Sequence, residues 1–347
     1  MGEFITRVVA IDSAAPDRNT IVEAAAIIRA GQLVAFPTET VYGLGADALS
    51  PMGLGRIYAV KGRPPDNPLI LHVGSPEQLP LIVADIPTVA YRLMQAFWPG
   101  PLTLILPKTS RVPDLATAGL ATVGVRMPGH PVALALINAA ETPLAAPSAN
   151  RSGFPSPTTA HHVFDDLPGC LPLILDAGPT RIGLESTVLD VTSTPPTLLR
   201  PGGITREAIE AIIGGVQEVA SLIQQQRAPG TRYRHYSPKA RVLLVEEPQP
   251  EAMQAAVAKA LEHGERVGCL LHRLEPGYLP PSVQVTRIDG SVADYAQGLF
   301  SALRALDRLG LDVIVVEGVQ EQGLGVAVMD RLRRAASAPR PSGEFSE

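Results

Sequence analysis

The chain has 347 residues, 29 Lys and Arg against 34 Asp and Glu, and a formal net charge of -5. That length accommodates two domains with cores of their own, and the acidic balance excludes broad nucleic-acid binding through a basic face, leaving only local patches. Cys170 and Cys269 match neither a zinc spacing nor a disulfide framework; with no apolar run near the ~20 residues of a membrane span and no secretory pattern, the expectation is a soluble cytoplasmic protein.

Taken in order, Thr20 to Ala30 has apolar residues at helical spacing, with Asn19 as its cap and Gly31 as its stop. Leu33 to Phe36 reads as a buried strand ending at Pro37. Ile70 to Val73, Leu102 to Leu106, Val123 to Arg126, Leu173 to Leu175 and Thr187 to Val191 are further strands. Between them Gln78 to Ala84, Thr88 to Phe97, Val132 to Ala140 and Arg206 to Ile213 read as helices. The alternation predicts an α/β sheet covered by helices, and the direct strand-to-strand passages near 173–200 predict a mixed sheet.

From Val219 to Val245 there is no acidic residue, while Arg227, Arg232, Arg234, Lys239 and Arg241 are present and Tyr233 and Tyr236 flank Arg234-His235. Pro229-Gly230 and Ser237-Pro238 mark this as an extended connection. Beyond it, strands at Val242 to Val245, Val267 to Leu271, Val283 to Ile288 and Leu311 to Val316 alternate with helices at Glu251 to Leu261, Val292 to Leu309 and Gly325 to Ala336. This order predicts a small doubly wound, Rossmann-like parallel domain without the Gly-x-Gly-x-x-Gly fingerprint. The expected layout is a catalytic domain over 1–215, a basic linker over 216–240, a small α/β domain over 241–336 and a disordered tail over 337–347.

The chemistry concentrates in Gly-, Pro- and Ser-rich turns of the first part. Lys61-Gly62-Arg63-Pro64-Pro65-Asp66-Asn67-Pro68 holds two cations among rigid residues, which suggests a fixed anion site. The Pro37 to Gly45 segment follows a buried strand, so its polar residues fall at a strand end, where α/β ligands bind. Arg126 closes another strand, Ala146 to Gly153 is a polar turn, and Glu185-Ser186-Thr187 and Arg200-Pro201-Gly202-Gly203 bracket two more elements. No phosphate loop and no nucleophile elbow occur, and no carboxylate cluster suggests a metal site. Neighbours on a helix, His161 and His162 cannot chelate one ion together and read as helix-surface residues. Cations and hydroxyls without a nucleophile–base pair suit charge neutralisation of an activated phosphate ester.

Lys61-x-Arg63 together with Ser148-x-Asn150 resembles the paired signature of the YrdC-like family. The segments Phe36 to Leu44, Trp98 to Thr103, Val125 to Pro128 and Ser186 to Val188 are similar to it as well. The stretch Pro229 to Pro238 followed by a small α/β domain resembles the long, two-domain threonylcarbamoyl-AMP synthases of that family, with Thr231 standing where methionine is expected. The resemblance implies a twisted sheet around a deep cavity, and a reaction. L-threonine, bicarbonate and ATP, with Mg²⁺, give threonylcarbamoyl-AMP and pyrophosphate. The product passes to a tRNA threonylcarbamoyl transferase, and direct tRNA contact is not required. It also implies roles: Lys61, Arg63, Ser148 and Asn150 catalytic; Arg63, Asn67, Thr122, Ser148, Ser156, Arg200 and Tyr236 on ATP; Thr40, His72, Arg126, Ala146 and Ser186 on threonine. The linker is expected to close over bound nucleotide and shield a carbamate from water. Two alternatives stand beside this one. A carbamoyl transferase of the hydrogenase-maturation kind needs zinc-finger cysteines that two cysteines cannot supply. An RNA-binding module needs a local patch around Arg63, Arg151 and Arg227 to Arg241.

Overall fold

The computed structural model describes residues 4–219 and 235–337. Most of the expected linker and nearly all of the expected tail lie outside the described residues. Those that are described divide into two units, one of 4–152 with 156–219 and one of 153–155 with 235–337.

The first unit is built on a mixed sheet. Its strands in chain order are β1 (Arg7–Ala10), β2 (Val34–Phe36), β3 (Gly43–Asp47), β4 (Ile70–His72), β5 (Leu102–Pro107), β6 (Thr122–Arg126), β7 (Leu144–Ala145), β8 (Leu173–Asp176), β9 (Thr187–Asp190), β10 (Thr197–Arg200) and β11 (Gln217–Glu218). In space they run β1-β8-β2-β3-β7-β4-β6-β5-β9-β10-β11. β4 pairs parallel with β6, whereas β5 lies antiparallel to β6, and β3 and β4 each lie antiparallel to β7. The inner strands are buried along nearly their whole length because both faces are covered, whereas the edge strands β1 and β11 are largely exposed. One cluster joins Ile21, Ala24 and Ile28 to Val132, Leu136 and Phe36, and another joins Leu54 and Ile57 to Leu44, Leu71, Leu104 and Val125. Each such Val, Leu, Ile or Phe side chain, fully buried, contributes about 1.5–3 kcal/mol.

Local chemistry sets where the elements begin. The first helix is Arg18–Arg29, and its cap is Asp17 rather than Asn19, because the Asp17 carboxylate accepts the Thr20 N–H at 2.8 Å. Asn19 lies inside the first turn. The helix expected over Gln78 to Ala84 shortens to a 3₁₀ turn, Pro76–Gln78, and Leu79–Ile82, since Val83 turns extended and bridges to Lys108. Among the elements that went unpredicted are the strands Arg7–Ala10 and Gly43–Asp47 and the helix Pro51–Lys61. Ser50 caps that helix by accepting the Gly53 N–H, with Pro51 at its first position.

The second unit carries β12 (Arg241–Val245), β13 (Val267–Leu271), β14 (Gln284–Arg287) and β15 (Val313–Glu317) in the order β12-β15-β13-β14. All three pairings are parallel, and the helices Pro250–Glu262, Val292–Arg308 and Gly325–Ala336 connect and follow them, as expected. At the carboxyl end of β15 the buried Glu317 accepts the backbone N–H groups of His272, Arg273 and Leu274.

Candidate active site

The turn between β2 and β3 ties the first unit's polar segments together. Thr38, Glu39 and Thr40 are buried in it, and Thr38 Oγ1 accepts the N–H groups of Thr40 and Val41 at 3.2 Å. The Tyr42 N–H donates to the Pro157 carbonyl and the Leu44 N–H to that of Pro147, while Ala149 N–H returns a bond to the Tyr42 carbonyl. Ile182 and Gly183 donate their N–H groups to the carbonyls of Glu39 and Thr40. One strand-end turn therefore holds the Ser148-x-Asn150 turn and the segment leading to Ser186.

Lys61 and Arg63 diverge at Gly62. Lys61 is the last residue of the helix Pro51–Lys61, and Gly62 adopts φ 59°, the left-handed helix cap. A Cβ on Gly62 would meet nothing within 4 Å, so the backbone angle alone favours glycine. Lys61 reaches across to the Ser148 turn, donating to the carbonyls of Ser148 at 2.5 Å and Asn150 at 2.6 Å. Arg63 folds back on its own loop, donating through Nε to the Asn67 carbonyl and through Nη2 to that of Pro68. Both cations are buried. This overturns a place for Arg63 in an exposed RNA patch.

The parallel register of β4 and β6 sets His72 beside Arg126. Arg126 is 4 % exposed; it donates through Nε to the Gly100 carbonyl and through Nη1 to Thr40 Oγ1, and its Nη2 lies 2.6 Å from Glu39 Oε1. Burial, reinforced by the Arg126 charge, pushes the His72 imidazole down to about 3, so it is neutral at pH 7. His72 therefore supports folding fully above about pH 6.5, its unfolded value, and that support fades as pH falls from there toward 3. Urea unfolding of the wild type against His72→Asn between pH 7 and pH 4 should show the wild type losing stability faster; parallel losses would contradict this origin. Asn67 and Thr122 stand at the opposite end of the same strand pair, about 13 Å along β6 from Arg126 at ~3.3 Å per residue.

A third group lies at the ends of β9 and β10. Arg200 donates through Nε and Nη2 to the Ser186 carbonyl, and through Nη2 also to Ser186 Oγ at 3.1 Å. Ser186 Oγ is 2.8 Å from Thr103 Oγ1, and Thr103 immediately precedes Leu104, which pairs with Val125 beside Arg126. Ser156 donates to Glu185 Oε1 at 2.5 Å. Gly202 is required by space: a Cβ there would stand 2.4 Å from the backbone of Ser186 and Thr187. Ala146 donates its N–H to the Ile70 carbonyl, and Ser148, half-buried, bridges to Gly43.

Most of the expected residues thus fall into three linked groups: Lys61 with Ser148 and Asn150; Arg126 with Thr40 and His72; Arg200 with Ser186, next to Ser156. Four buried cations, Lys61, Arg63, Arg126 and Arg200, face two buried carboxylates, Glu39 and Glu185, in these segments. That excess suits anionic groups of a ligand. Tyr236 belongs to the second unit, where its ring stacks on Phe300 at 5.2 Å under the Arg331 guanidinium, at a left-handed φ of 63°. The surface reading of the histidine pair holds only for His161; His162 is buried against Thr158. Its side chain turns into the unit because the helix Ala160–Asp166 packs its Ala160–Val163 face inward. Glu39, the buried carboxylate against Arg126, was not singled out in the sequence. Its place in a polar turn at a strand end was the available signal. No group of three or more His, Cys, Asp or Glu residues able to hold a metal occurs among the described residues. No helix among them is long and apolar enough to cross a membrane.

A mixed sheet whose loops gather buried cations, in a chain with a small parallel α/β unit, is a YrdC-like architecture. Residues 26–202 match the Sua5, YciO and YrdC family model, described as telomere recombination, and residues 204–337 match the model for the C-terminal domain of threonylcarbamoyl-AMP synthase. Threonylcarbamoyl-AMP synthase of Pyrococcus abyssi is 51% identical over 90% of this chain and 93% of its own length. That of Bacillus subtilis is 47% identical over 91% and 92%. The crystal structure of P. abyssi Sua5 complexed with L-threonine superposes with a TM-score of 0.90 over 95% of this chain and 97% of that one, at 48% identity. The chain belongs to the threonylcarbamoyl-AMP synthase family.

Proposed function

We propose that the chain condenses L-threonine, bicarbonate and ATP into threonylcarbamoyl-AMP, with release of pyrophosphate and water. The observation that carries this reading is the buried guanidinium of Arg126, bonded to Thr40 beside neutral His72, with Arg200 bonded to Ser186 and Ser186 to Thr103 on the neighbouring strand. A guanidinium binds a carboxylate through two parallel N–H groups, so Arg126 would hold that of threonine. Thr40, His72, Ser186 and the Ala146 backbone would surround the rest of the amino acid, and hydrogen bonds to its hydroxyl would select against valine.

The carbamate oxygen would attack the α-phosphorus in line as pyrophosphate departs. Negative charge then grows on phosphoryl oxygens, where Lys61, Arg63 and Arg200 offer fixed positive charge that needs no reorganisation. Arg63, Asn67, Thr122, Ser148, Ser156 and Arg200 would hold ATP, with Asn150 orienting its phosphates; family resemblance adds Tyr236. Mg²⁺ would travel with the triphosphate, neutralising phosphate charge, and Glu185 with Ser156 offers oxygens there. The product would pass in the cytoplasm to a tRNA threonylcarbamoyl transferase.

Pyrophosphate release is the direct test. It should require ATP, threonine and bicarbonate together and fall to background when either co-substrate is omitted. Release indifferent to threonine would overturn the assignment.

A further inference from the structure

Glu39 has no role in the reaction as described so far. Its side chain is 2 % exposed, and its Oε1 lies 2.6 Å from Arg126 Nη2. Charge is thus balanced, yet beyond that ion pair neither carboxylate oxygen receives a hydrogen bond from the described residues. The Glu39 backbone is fixed, because its carbonyl accepts the Ile182 N–H. A buried carboxylate held still, with oxygens lacking donors, is arranged to accept hydrogen bonds from a ligand.

The ligand's own geometry says which group. With threonine's carboxylate on Arg126, its nitrogen lies only about 2.5 Å from the carboxylate carbon. It is an ammonium with three N–H donors, and Glu39 is the carboxylate already touching Arg126. We infer that Glu39 receives the ammonium group of threonine and takes the proton it loses as the carbamate forms. This assignment rests on the synthase reading above and supplies the base that reading lacks. The ammonium gives one proton to Glu39, and the freed lone pair forms the N–C bond to the carbon of bicarbonate. A second N–H proton leaves with the bicarbonate hydroxyl as water, and the proton on Glu39 passes to solvent. Threonine's carboxylate favours the transfer, because once bound it shares the Arg126 charge that Glu39 otherwise holds alone.

The test compares Glu39→Gln with the wild type in two directions. Forward synthesis needs the base, whereas the reverse half-reaction, ATP formation from threonylcarbamoyl-AMP and pyrophosphate, starts with the N–C bond already made. Forward turnover of Glu39→Gln at saturating threonine should fall roughly 100-fold or more, within the ~10²–10⁴-fold range of general-base catalysis. The reverse half-reaction should fall by less than about tenfold. Forward rates within about threefold of wild type would overturn the assignment. So would parallel losses in both directions, which would mean that Glu39 only holds Arg126 in place. Should Glu39→Gln not fold, Glu39→Asp keeps the charge, and the same two-direction comparison decides. A wild-type protein that released no pyrophosphate with all three substrates would instead overturn the synthase reading, and this assignment with it.

Discussion

Replacing Arg126 with alanine is expected to remove threonine-dependent turnover and to lower stability by about 3–5 kcal/mol, the range for breaking a buried ion pair on one side. All three guanidinium nitrogens are engaged, on Gly100, Thr40 and Glu39, and both charged partners are buried. The alanine variant leaves the Glu39 carboxylate in a low-dielectric interior without its cation. For a unit of this size that loss corresponds to a fall in melting temperature of roughly 10 °C. Arg126→Lys separates the two effects. It returns a positive charge and so part of the stability, but a single ammonium cannot form the two-toothed contact with a carboxylate, and the KM for threonine should stay raised by about 100-fold. Urea unfolding with threonine-dependent pyrophosphate release measures both. An alanine variant within 1 kcal/mol of wild type, by the ±0.5 kcal/mol yardstick of inert substitutions, would refute the ion-pair account.

Lys61→Met should reduce turnover by roughly 10²–10³-fold, the usual loss on removing one preorganised donor from a developing negative charge. A lysine that serves only the phosphates would, on its loss, damage turnover more than folding. Its bonds to the Ser148 and Asn150 carbonyls alter that expectation. Methionine keeps the stem and removes the ammonium, leaving those carbonyls without this donor at a cost of about 1–3 kcal/mol. The Ser148 turn should loosen at the same time, visible as faster amide exchange over 148–152. Exchange unchanged while turnover falls would mean that Lys61 acts through charge alone. Arg63→Met offers the contrast: it removes the Arg63 donor from the Asn67 and Pro68 carbonyls and leaves the Ser148 turn in place.

Regular elements were legible wherever the apolar period was long. The helices Thr88–Phe97, Arg206–Ile213 and Gly325–Ala336 and the strand Val267–Leu271 stand where periodicity puts them. Gly43–Asp47 was not legible, because Gly-Leu-Gly-Ala-Asp has no strand propensity and becomes a strand only by pairing with β2 and β7. Pro51–Lys61 was missed because its two glycines blur the helical pattern, although Ser50-Pro51 is a good start signal. The burial of His162 was invisible for a related reason: the helix carrying it has only seven residues, too few for a period to assign a face.

By itself the sequence determined the class of chemistry. Lys-x-Arg, Ser-x-Asn and two strand-terminal arginines without a nucleophile–base pair describe a site that neutralises anions, and residue types and short spacings are local properties. The tertiary structure alone decided how those charges are used. It turned Lys61 and Arg63 apart at a left-handed glycine, buried both, and brought Glu39 against Arg126 across 87 positions of chain. No local pattern encodes such a pair, because what joins its members is the register of strands that meet only when the sheet has formed.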